Sequence, residues 1–148
     1  MNPNGIISEI LGHKGDNVWS ISPDATVFAA LQMMADKNVG ALLVTERGKL
    51  VGIITERDYS RKIALKGRSS KETAVREILS GNVIHVTPAH SVEDCMRLMT
   101  EHRVRHLPVL EDERIVGVVS IGDLVNWIIS AQTTTIHQLQ TYIGGYPS

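Results

Sequence analysis

The 148-residue sequence is poor in several residue types, and each scarcity argues against a class of protein. Cys95 is the single cysteine, so a disulfide cannot form within the chain, and a reducing compartment, the cytoplasm, is expected. Aromatic residues make up 4% of the chain, which argues against a base-stacking surface for single-stranded nucleic acid. The formal net charge is −1, so we expect neither nucleic acid nor an anionic membrane as the main partner.

Long apolar runs and the usual catalytic motifs are also missing. No apolar stretch approaches the roughly 18 residues of a membrane span, and the start, MNPNGIISEILGHKGD, lacks the basic and apolar regions of a signal peptide. The six histidines show no HExxH spacing, so no metal site is expected. Neither GxGxxG, nor GxxxxGKS/T, nor a nucleophile–base–acid arrangement is found, and we expect no enzymatic activity.

The sequence does contain an internal repeat. Residues 18–59 align with residues 83–124 at an offset of 65 without a gap. A short preceding segment repeats as well, since residues 8–11 (SEIL) resemble residues 76–79 (REIL) at an offset of 68. Chance does not place proline, glycine and aspartate in one ungapped register, so the chain is predicted to be two copies of one unit. The identical pairs of the long alignment are Val18/Val83, Pro23/Pro88, Val27/Val92, Met34/Met99, Val39/Val104, Leu42/Leu107, Val44/Val109, Glu46/Glu111, Val51/Val116, Gly52/Gly117 and Asp58/Asp123.

Each copy has the pattern of a β-α-β-β-α unit. A brief strand, VWSIS or VIHVT, ends at a proline, and Thr26 or Ser91 then caps a helix. Two apolar runs around a polar turn predict a β-hairpin, ALLVT with LVGIIT and HLPVL with IVGVVS, and a second helix begins at Thr55 or Ser120. The predicted fold class is therefore α/β (α+β), with tandem repeats in pseudo-twofold symmetry that bury their apolar sheet faces against each other.

The predicted organisation has four parts. Repeat 1 spans residues 6–64 and repeat 2 spans residues 75–130, joined by a polar linker over residues 65–74. Residues 131–148 extend the last helix and end in a tail that follows a pair of glycines.

The first helix of each copy carries apolar residues at helical spacing. These are Val27, Ala30, Leu31 and Met34 in the first copy, and Val92, Cys95, Met96 and Met99 in the second. Because Cys95 lies on this apolar face, it is expected to be a small core residue rather than a nucleophile.

Each copy also ends an apolar strand with a hydroxyl residue that is followed three positions later by aspartate. Thr55 and Asp58 stand in GIITERD, and Ser120 and Asp123 stand in GVVSIGD. The first amides of a helix lack partners within the helix and attract anions, so a hydroxyl there can bind a phosphate oxygen. The aspartate can accept hydrogen bonds from a vicinal diol such as ribose. The same spacing is also a capping box, which satisfies only the helix amides, and the sequence leaves both interpretations open.

These features resemble the CBS domain (cystathionine β-synthase domain), and the pair resembles a Bateman module, over roughly residues 6–130. The resemblance implies a stand-alone regulatory protein that binds AMP, ADP or ATP, or in some members NAD(H) or S-adenosylmethionine. It also implies a non-catalytic protein that forms homodimers. Its output would then act through another molecule, such as a protein target that the sequence does not identify, or through the dimer. The matching pieces are Ser22-Pro23…Thr26 with Thr87-Pro88…Ser91, VGALLV with VRHLPV, and GIITERD with GVVSIGD.

In the family each ligand cleft combines both repeats, so the resemblance implies two clefts here. Cleft A would hold Thr55 and Asp58, and Arg105 and His106 would face the phosphates. Its other members would be Ile53, Val83, Ile84, His85 and Arg57. For Arg57 the alternative is a solvated pair with Glu56 or Asp58.

Cleft B would use the second hydroxyl–aspartate pair. Its members would be Ser120, Asp123, Val118, Val18, Trp19, Ser20, Gly40 and Ala41. For Trp19, which could stack on a base, burial at the edge of the module is the alternative. Arg105 gives cleft A a charge-assisted partner for phosphate where cleft B has glycine, so cleft A is expected to bind nucleotide better.

Three rival functions remain beside this interpretation. A structural dimerisation or interaction module without a ligand would need only the capping boxes. An enzyme related to inosine monophosphate dehydrogenase, which carries a CBS pair, would need a barrel for which 148 residues leave no room. A nucleic-acid binder conflicts with the neutral charge. The favoured function is a cytoplasmic adenine-nucleotide sensor of energy or redox state, whose ligand shifts the conformation of the dimer or of a partner.

Overall fold

The computed structural model of the protein describes residues 3–14, 18–79 and 82–144, and within the last range the side chains of 134–135 and 141–144 are not described. The chain divides into two compact units. Unit 1 comprises Met1–Asp16, His85–Glu111 and Val116–Ser148, and unit 2 comprises Asn17–Ile84 and Asp112–Ile115.

Unit 2 is built on a three-stranded sheet in the order β1-β2-β3. Strand β1 pairs parallel with β2, and β2 pairs antiparallel with β3 in the predicted hairpin. The elements are β1 (Ser20–Ile21), α2 (Val27–Lys37), β2 (Ala41–Glu46), β3 (Lys49–Thr55), α3 (Glu56–Asp58), a π-helix (Tyr59–Ala64) and a 3-10 helix (Val75–Ile78).

Unit 1 repeats this plan around the two-stranded sheet β4-β5. Its elements are α1 (Ile7–Lys14), α4 (Val92–His102), β4 (His106–Glu111), β5 (Arg114–Ser120) and α5 (Ile121–Gly144). The first two residues of β5, Arg114 and Ile115, belong to unit 2. The β-α-β-β-α pattern predicted for the first copy is thus confirmed, and so are the helices and the hairpin of the second copy.

The strand predicted at VIHVT in the second copy is not formed. Only Val86 pairs there, in an isolated parallel bridge to Val109. In the first copy the amide of Leu43 donates to the carbonyl of Trp19 at 3.1 Å and extends the pairing. The second copy has Pro108 at the position of Leu43, and proline has no amide hydrogen to donate. The prediction was therefore wrong because one residue of β4 removes the ladder bond that the strand needs.

The predicted helix caps are confirmed. Thr26 Oγ1 accepts a hydrogen bond from the amide of Ala29 at 3.0 Å, and Ser91 Oγ accepts one from the amide of Asp94 at 3.0 Å. Both helices end at a residue in the left-handed region, Asn38 or Arg103. These local signals fix where α2 and α4 begin and end.

Most of the apolar face predicted for each first helix is buried, and its other two members, Leu31 and Met96, are partly buried. Val27, Ala30 and Met34 of α2 and Val92, Cys95 and Met99 of α4 are at most 4% exposed. Burial, followed by the neighbouring Asp94 charge, raises the pKa of the Cys95 thiol to about 11. A protonated thiol in the core is a poor nucleophile, in agreement with the structural role predicted for it.

Unit 1 joins the second repeat to the segment at the start of the chain. The amide of Ile7 donates to the carbonyl of His90 at 2.9 Å, and the amide of Val92 donates to the carbonyl of Gly5 at 2.8 Å. Ile10 of α1 is buried in this unit. The leading segment of repeat 1, which contains Ile7 and Ile10, therefore packs with the rest of repeat 2.

Unit 2 contains the matching arrangement. The amide of Val75 donates to the carbonyl of Ala25, and the amide of Val27 donates to the carbonyl of Thr73, both at 2.8 Å. Ile78 is 4% exposed and belongs to the same apolar cluster as Val27. The leading segment of repeat 2, which contains Val75 and Ile78, therefore packs with the rest of repeat 1, so the two repeats exchange their leading segments.

The glycine of each GIIT or GVVS motif is explained by this exchange. A Cβ atom on Gly52 would lie 2.8 Å from Cδ2 of Leu79, and a Cβ atom on Gly117 would lie 2.7 Å from Cδ2 of Leu11. Both distances are shorter than van der Waals contact. Glycine at these strand positions therefore lets the leucine of the leading segment lie directly on the strand.

Candidate functional site

The first candidate site is the junction between β3 and α3. The amide of Thr55 donates to Oδ2 of Asp58 at 2.9 Å, and the amide of Asp58 donates to Oγ1 of Thr55 at 3.1 Å. The Thr55 hydroxyl also donates to the same carboxylate oxygen at 3.1 Å. The capping box that the sequence left open is therefore formed, and it holds the hydroxyl and the carboxylate side by side at the end of the strand.

The second candidate site, between β5 and α5, has the same geometry. The amide of Ser120 donates to Oδ2 of Asp123 at 2.8 Å, and the amide of Asp123 donates to Oγ of Ser120 at 3.1 Å. All four residues are partly buried. In each aspartate the cap engages one carboxylate oxygen, and a carboxylate has acceptor sites for further donors on both oxygens.

A third capping box shows that this geometry alone does not define a ligand site. Ser91 and Asp94 exchange the same two bonds at the start of α4, at 3.1 and 3.0 Å. The bond from the backbone amide of Ser91, followed by the bond from its hydroxyl, keeps the pKa of Asp94 below its ordinary value. The two candidate sites differ from this box because their hydroxyl residue is the last residue of a seven-residue strand. In open α/β sheets, ligands bind at the carboxyl ends of strands.

The loop before each hairpin lies beside the candidate site of its own repeat. The amide of Glu56 donates to the carbonyl of Gly40 at 3.2 Å, and Ala41 pairs with Thr55 across β2 and β3. In unit 1 the amide of Ile121 donates to the carbonyl of Arg105 at 2.9 Å. The structure thus brings the backbone of Arg105 next to Ser120, and that of Gly40 next to Thr55.

The remaining predicted site residues take varied positions. The exposed ones are Arg57, Trp19, Ser20, His85 and Arg105. The partly buried ones are Ile53, Val118, Val18, Val83, Ile84, Gly40, Ala41 and His106. Thr55 and Asp58 belong to unit 2, and Arg105 and His106 belong to unit 1. Their combination in cleft A, like that of cleft B, stays a prediction. Trp19 has the ammonium of Lys37 at 4.3 Å from its ring centroid, a cation–π contact.

Two lysines beside the aspartates were not predicted. Lys62 Nζ lies 3.4 Å from Oδ1 of Asp58 and donates to the carbonyl of Ile78 at 2.8 Å. Lys14 Nζ lies 2.6 Å from Oδ2 of Asp123. The spacing of four between Asp58 and Lys62 on one helical segment could have indicated the first pair. No local signal indicates the second, because Lys14 and Asp123 are 109 positions apart.

Two other kinds of functional feature have no candidates within the described part of the chain. No group of three or more histidine, cysteine, aspartate or glutamate side chains is placed to hold a metal ion among these residues. Likewise, none of the described helices is both long enough and apolar enough to cross a membrane.

Two repeats that share an α-β-β-α plan, with a hydroxyl–aspartate pair at the end of each hairpin, define a repeat protein of the CBS type. The CBS domain family model matches residues 7–65 and 75–130, so the chain belongs to the CBS-domain family. The protein "CBS domain-containing protein CBSX3, mitochondrial" of Arabidopsis thaliana is 44% identical over 150 residues, covering 95% of this chain and 73% of that protein. A CBS-domain protein of Burkholderia ambifaria MC40-6 matches in structure with a TM-score of 0.82 and 45% identity, covering 86% of this chain and 96% of that one.

Two other solved structures share the fold and differ in what they contain. The CBS domain pair of protein MJ0100, solved with 5′-methylthioadenosine and S-adenosyl-L-methionine, has a TM-score of 0.76 and 24% identity, covering 87% of this chain and 99% of that one. A hexameric CBS-CP12 protein from bloom-forming cyanobacteria has a TM-score of 0.74 and 31% identity, covering 82% of this chain and 67% of that one. Those ligands and that assembly belong to those proteins.

Proposed function

We propose that the chain is a regulatory, non-catalytic module of the cytoplasm that binds an adenosine-containing ligand. The observation that carries the proposal is the junction of β3 and α3, where Thr55 and Asp58 hold a hydroxyl and a carboxylate 3.1 Å apart. The Asp58 carboxylate is suited to the vicinal hydroxyls of a ribose. The helix amides and the threonine hydroxyl are suited to an anionic group.

The charges near this junction favour a phosphate-bearing ligand. The Nζ atom of Lys62 lies 3.4 Å from the Asp58 carboxylate, and Arg57 lies beside Asp58 on α3. Arg105 and His106, which we predict to complete cleft A, would add charge-assisted bonds to phosphate. AMP, ADP and ATP are therefore the preferred ligands, followed by NAD(H) and S-adenosylmethionine. The adenosine compounds bound by MJ0100, which shares the fold, make this ligand class the first to test.

The proposal is tested by melting the protein with a panel of AMP, ADP, ATP, NAD, NADH and S-adenosylmethionine. A ligand present at 100 times its Kd adds about 2.7 kcal/mol of stability, which raises the melting temperature by several degrees for a chain of this size. We expect such a rise with at least one compound. Guanosine and cytidine nucleotides at equal concentration control for nonspecific anion effects. No rise with any adenosine compound at millimolar concentration would contradict the proposal.

The exposed face of α5 favours a second candidate function, self-association without a required ligand. Val125, Ile129, Ile136 and Leu139 are 39–55% exposed and recur at helical spacing on one face. Residues 124–144 contain no aspartate, glutamate, lysine or arginine. An uncharged apolar face of this kind is best covered by a second uncharged face, and a second copy of α5 provides one. This surface would support the homodimer that the family resemblance implies.

The self-association candidate is tested by sedimentation equilibrium. We expect the wild-type chain to be a dimer and Ile129→Lys to shift it toward monomer, because a buried lysine ammonium without a partner is costly. Gln138→Lys adds the same charge on the opposite, polar face of α5 and should leave the dimer intact. A monomeric wild type, or a dimer that Ile129→Lys does not weaken, would refute α5 as the interface.

A further inference from the structure

Lys14, the last residue of α1, contacts the second candidate site directly. Its Nζ lies 2.6 Å from Oδ2 of Asp123 and donates to the main-chain carbonyl of Val118 at 2.7 Å. That carboxylate oxygen also accepts the amide of Ser120. The ammonium therefore occupies two acceptors near the end of β5, and one of them is one of the two carboxylate oxygens that a vicinal diol of ribose would use.

The first candidate site is arranged differently. There Lys62 makes its short bond, 2.8 Å, to the carbonyl of Ile78, and its ammonium lies 3.4 Å from the Asp58 oxygen that the capping box does not use. In the repeat register the position of Lys62 corresponds to Trp127, which is buried. The second repeat thus has no lysine at the equivalent helix position, and the cation that reaches its aspartate comes from the leading segment.

The surroundings of Lys14 give its side chain room to leave the carboxylate. Its side chain is 35% exposed, and that of Asp123 is 21% exposed. A cavity of about 290 Å³ adjoins the pair between α1 and the first turns of α5. It is lined by Ile10, His13, Lys14, Asp123, Asn126, Trp127 and Ser130. An ammonium that is partly exposed beside a cavity can exchange its partner by side-chain rotation without any change in α1.

We propose that Lys14 is a specificity-determining residue of the Ser120–Asp123 site, where its ammonium competes internally with ligand hydroxyls for the Asp123 carboxylate. A vicinal diol that bonds both carboxylate oxygens of Asp123 must displace Lys14, because Oδ2 already accepts hydrogen bonds from the Ser120 amide and the Lys14 ammonium. This site therefore binds adenosine compounds more weakly than the Thr55–Asp58 site. The inference rests on the proposed function and explains an unequal pair of sites by a contact within unit 1. The unequal affinity was attributed above to Arg105, which would bind the phosphate in cleft A. Lys14 instead competes with the ribose hydroxyls for Asp123.

The test uses adenosine, an uncharged probe that has the vicinal diol but no phosphate. Calorimetric titrations are made in an Asp58→Ala background, so that the binding that remains reports on Asp123. We expect Lys14→Met to raise the affinity for adenosine about threefold to tenfold, since a partly exposed ion pair no longer has to be broken. Lys14→Arg keeps the cation and should retain the weak affinity. Lys66→Met, which removes an exposed lysine of the linker, controls for net charge.

The outcomes separate this inference from the proposed function. An unchanged or lower affinity of the Lys14→Met variant would overturn internal competition, and a lower one would make Lys14 a ligand-binding residue. If wild-type protein binds adenine nucleotides through Asp58 while Lys14→Met has no effect, this inference alone fails. If neither wild type nor any variant binds any adenosine compound, both fail. An adenosine affinity that rises in Lys14→Met and not in Lys14→Arg supports both.

Discussion

Ile78→Ala is expected to lower the free energy of unfolding by about 2–4 kcal/mol, the usual range for truncating a buried isoleucine. Ile78 lies in the leading segment of repeat 2, yet it is 4% exposed within the apolar cluster of repeat 1. The variant leaves a cavity in that cluster, and neighbouring backbone bonds such as that from Val75 to Ala25 limit its collapse. Urea unfolding followed by circular dichroism measures the change, with an unaltered dependence on urea expected.

The controls for Ile78→Ala are an exposed residue that precedes the same repeat and the buried counterpart in the other unit. Leu65 is 81% exposed, so Leu65→Ala should change stability by no more than about 0.5 kcal/mol. Ile10 is the buried counterpart in unit 1, and Ile10→Ala should cost as much as Ile78→Ala. If Ile78→Ala lowered the free energy of unfolding no more than Leu65→Ala does, the segment around Ile78 would only connect the two repeats. That result would refute the exchange of leading segments.

Asp58→Ala is expected to weaken binding of the preferred adenine nucleotide about tenfold to a hundredfold, or about 1–3 kcal/mol, as for the loss of hydrogen bonds to a charged group. Asp123→Ala should weaken it less, because Lys14 holds the Asp123 carboxylate at 2.6 Å, whereas the ammonium of Lys62 lies 3.4 Å from Asp58. Calorimetric titration of both variants measures the difference.

A third variant separates ligand binding from helix capping. Asp94→Ala removes the same capping box from α4, so all three variants should lose a similar stability, about 1 kcal/mol. Only Asp58→Ala should combine this loss with a large loss of affinity. Equal affinities for the Asp58 and Asp94 variants would reduce Thr55 and Asp58 to a cap, and a larger effect at Asp123 would reverse the ranking of the two sites.

Features that depend on neighbouring residues were predictable from the sequence. The caps at Thr26 and Ser91, and the capping box at Thr55, follow from the preference of hydroxyl residues for helix starts. The hairpins follow from two apolar runs around a short turn. Because the sequence repeats at an offset of 65 residues, each of these patterns occurs twice. The loss of the strand at VIHVT could also have been predicted, since Pro108 is visible in the sequence.

Features that depend on distant residues were not predictable. The similarity of SEIL and REIL indicated that both repeats begin with the same short segment. It did not indicate that each of these segments packs with the other repeat. The contact of Lys14 with Asp123 spans 109 positions and has no counterpart in the register of the repeats. Such contacts follow from the packing of α1 in unit 1, which periodicity and motif spacing do not encode.

The most direct test of the central claim is a backbone amide NMR titration of the wild-type protein with the adenosine compound that raises its melting temperature most. If that compound binds at the end of β3, the amides of Thr55, Glu56, Arg57 and Asp58 should shift saturably and by more than those of the control box at Ser91 and Asp94. Saturable shifts that leave residues 55–58 unchanged would place the ligand elsewhere. No saturable shift at millimolar concentration would contradict the claim that these residues form a nucleotide site.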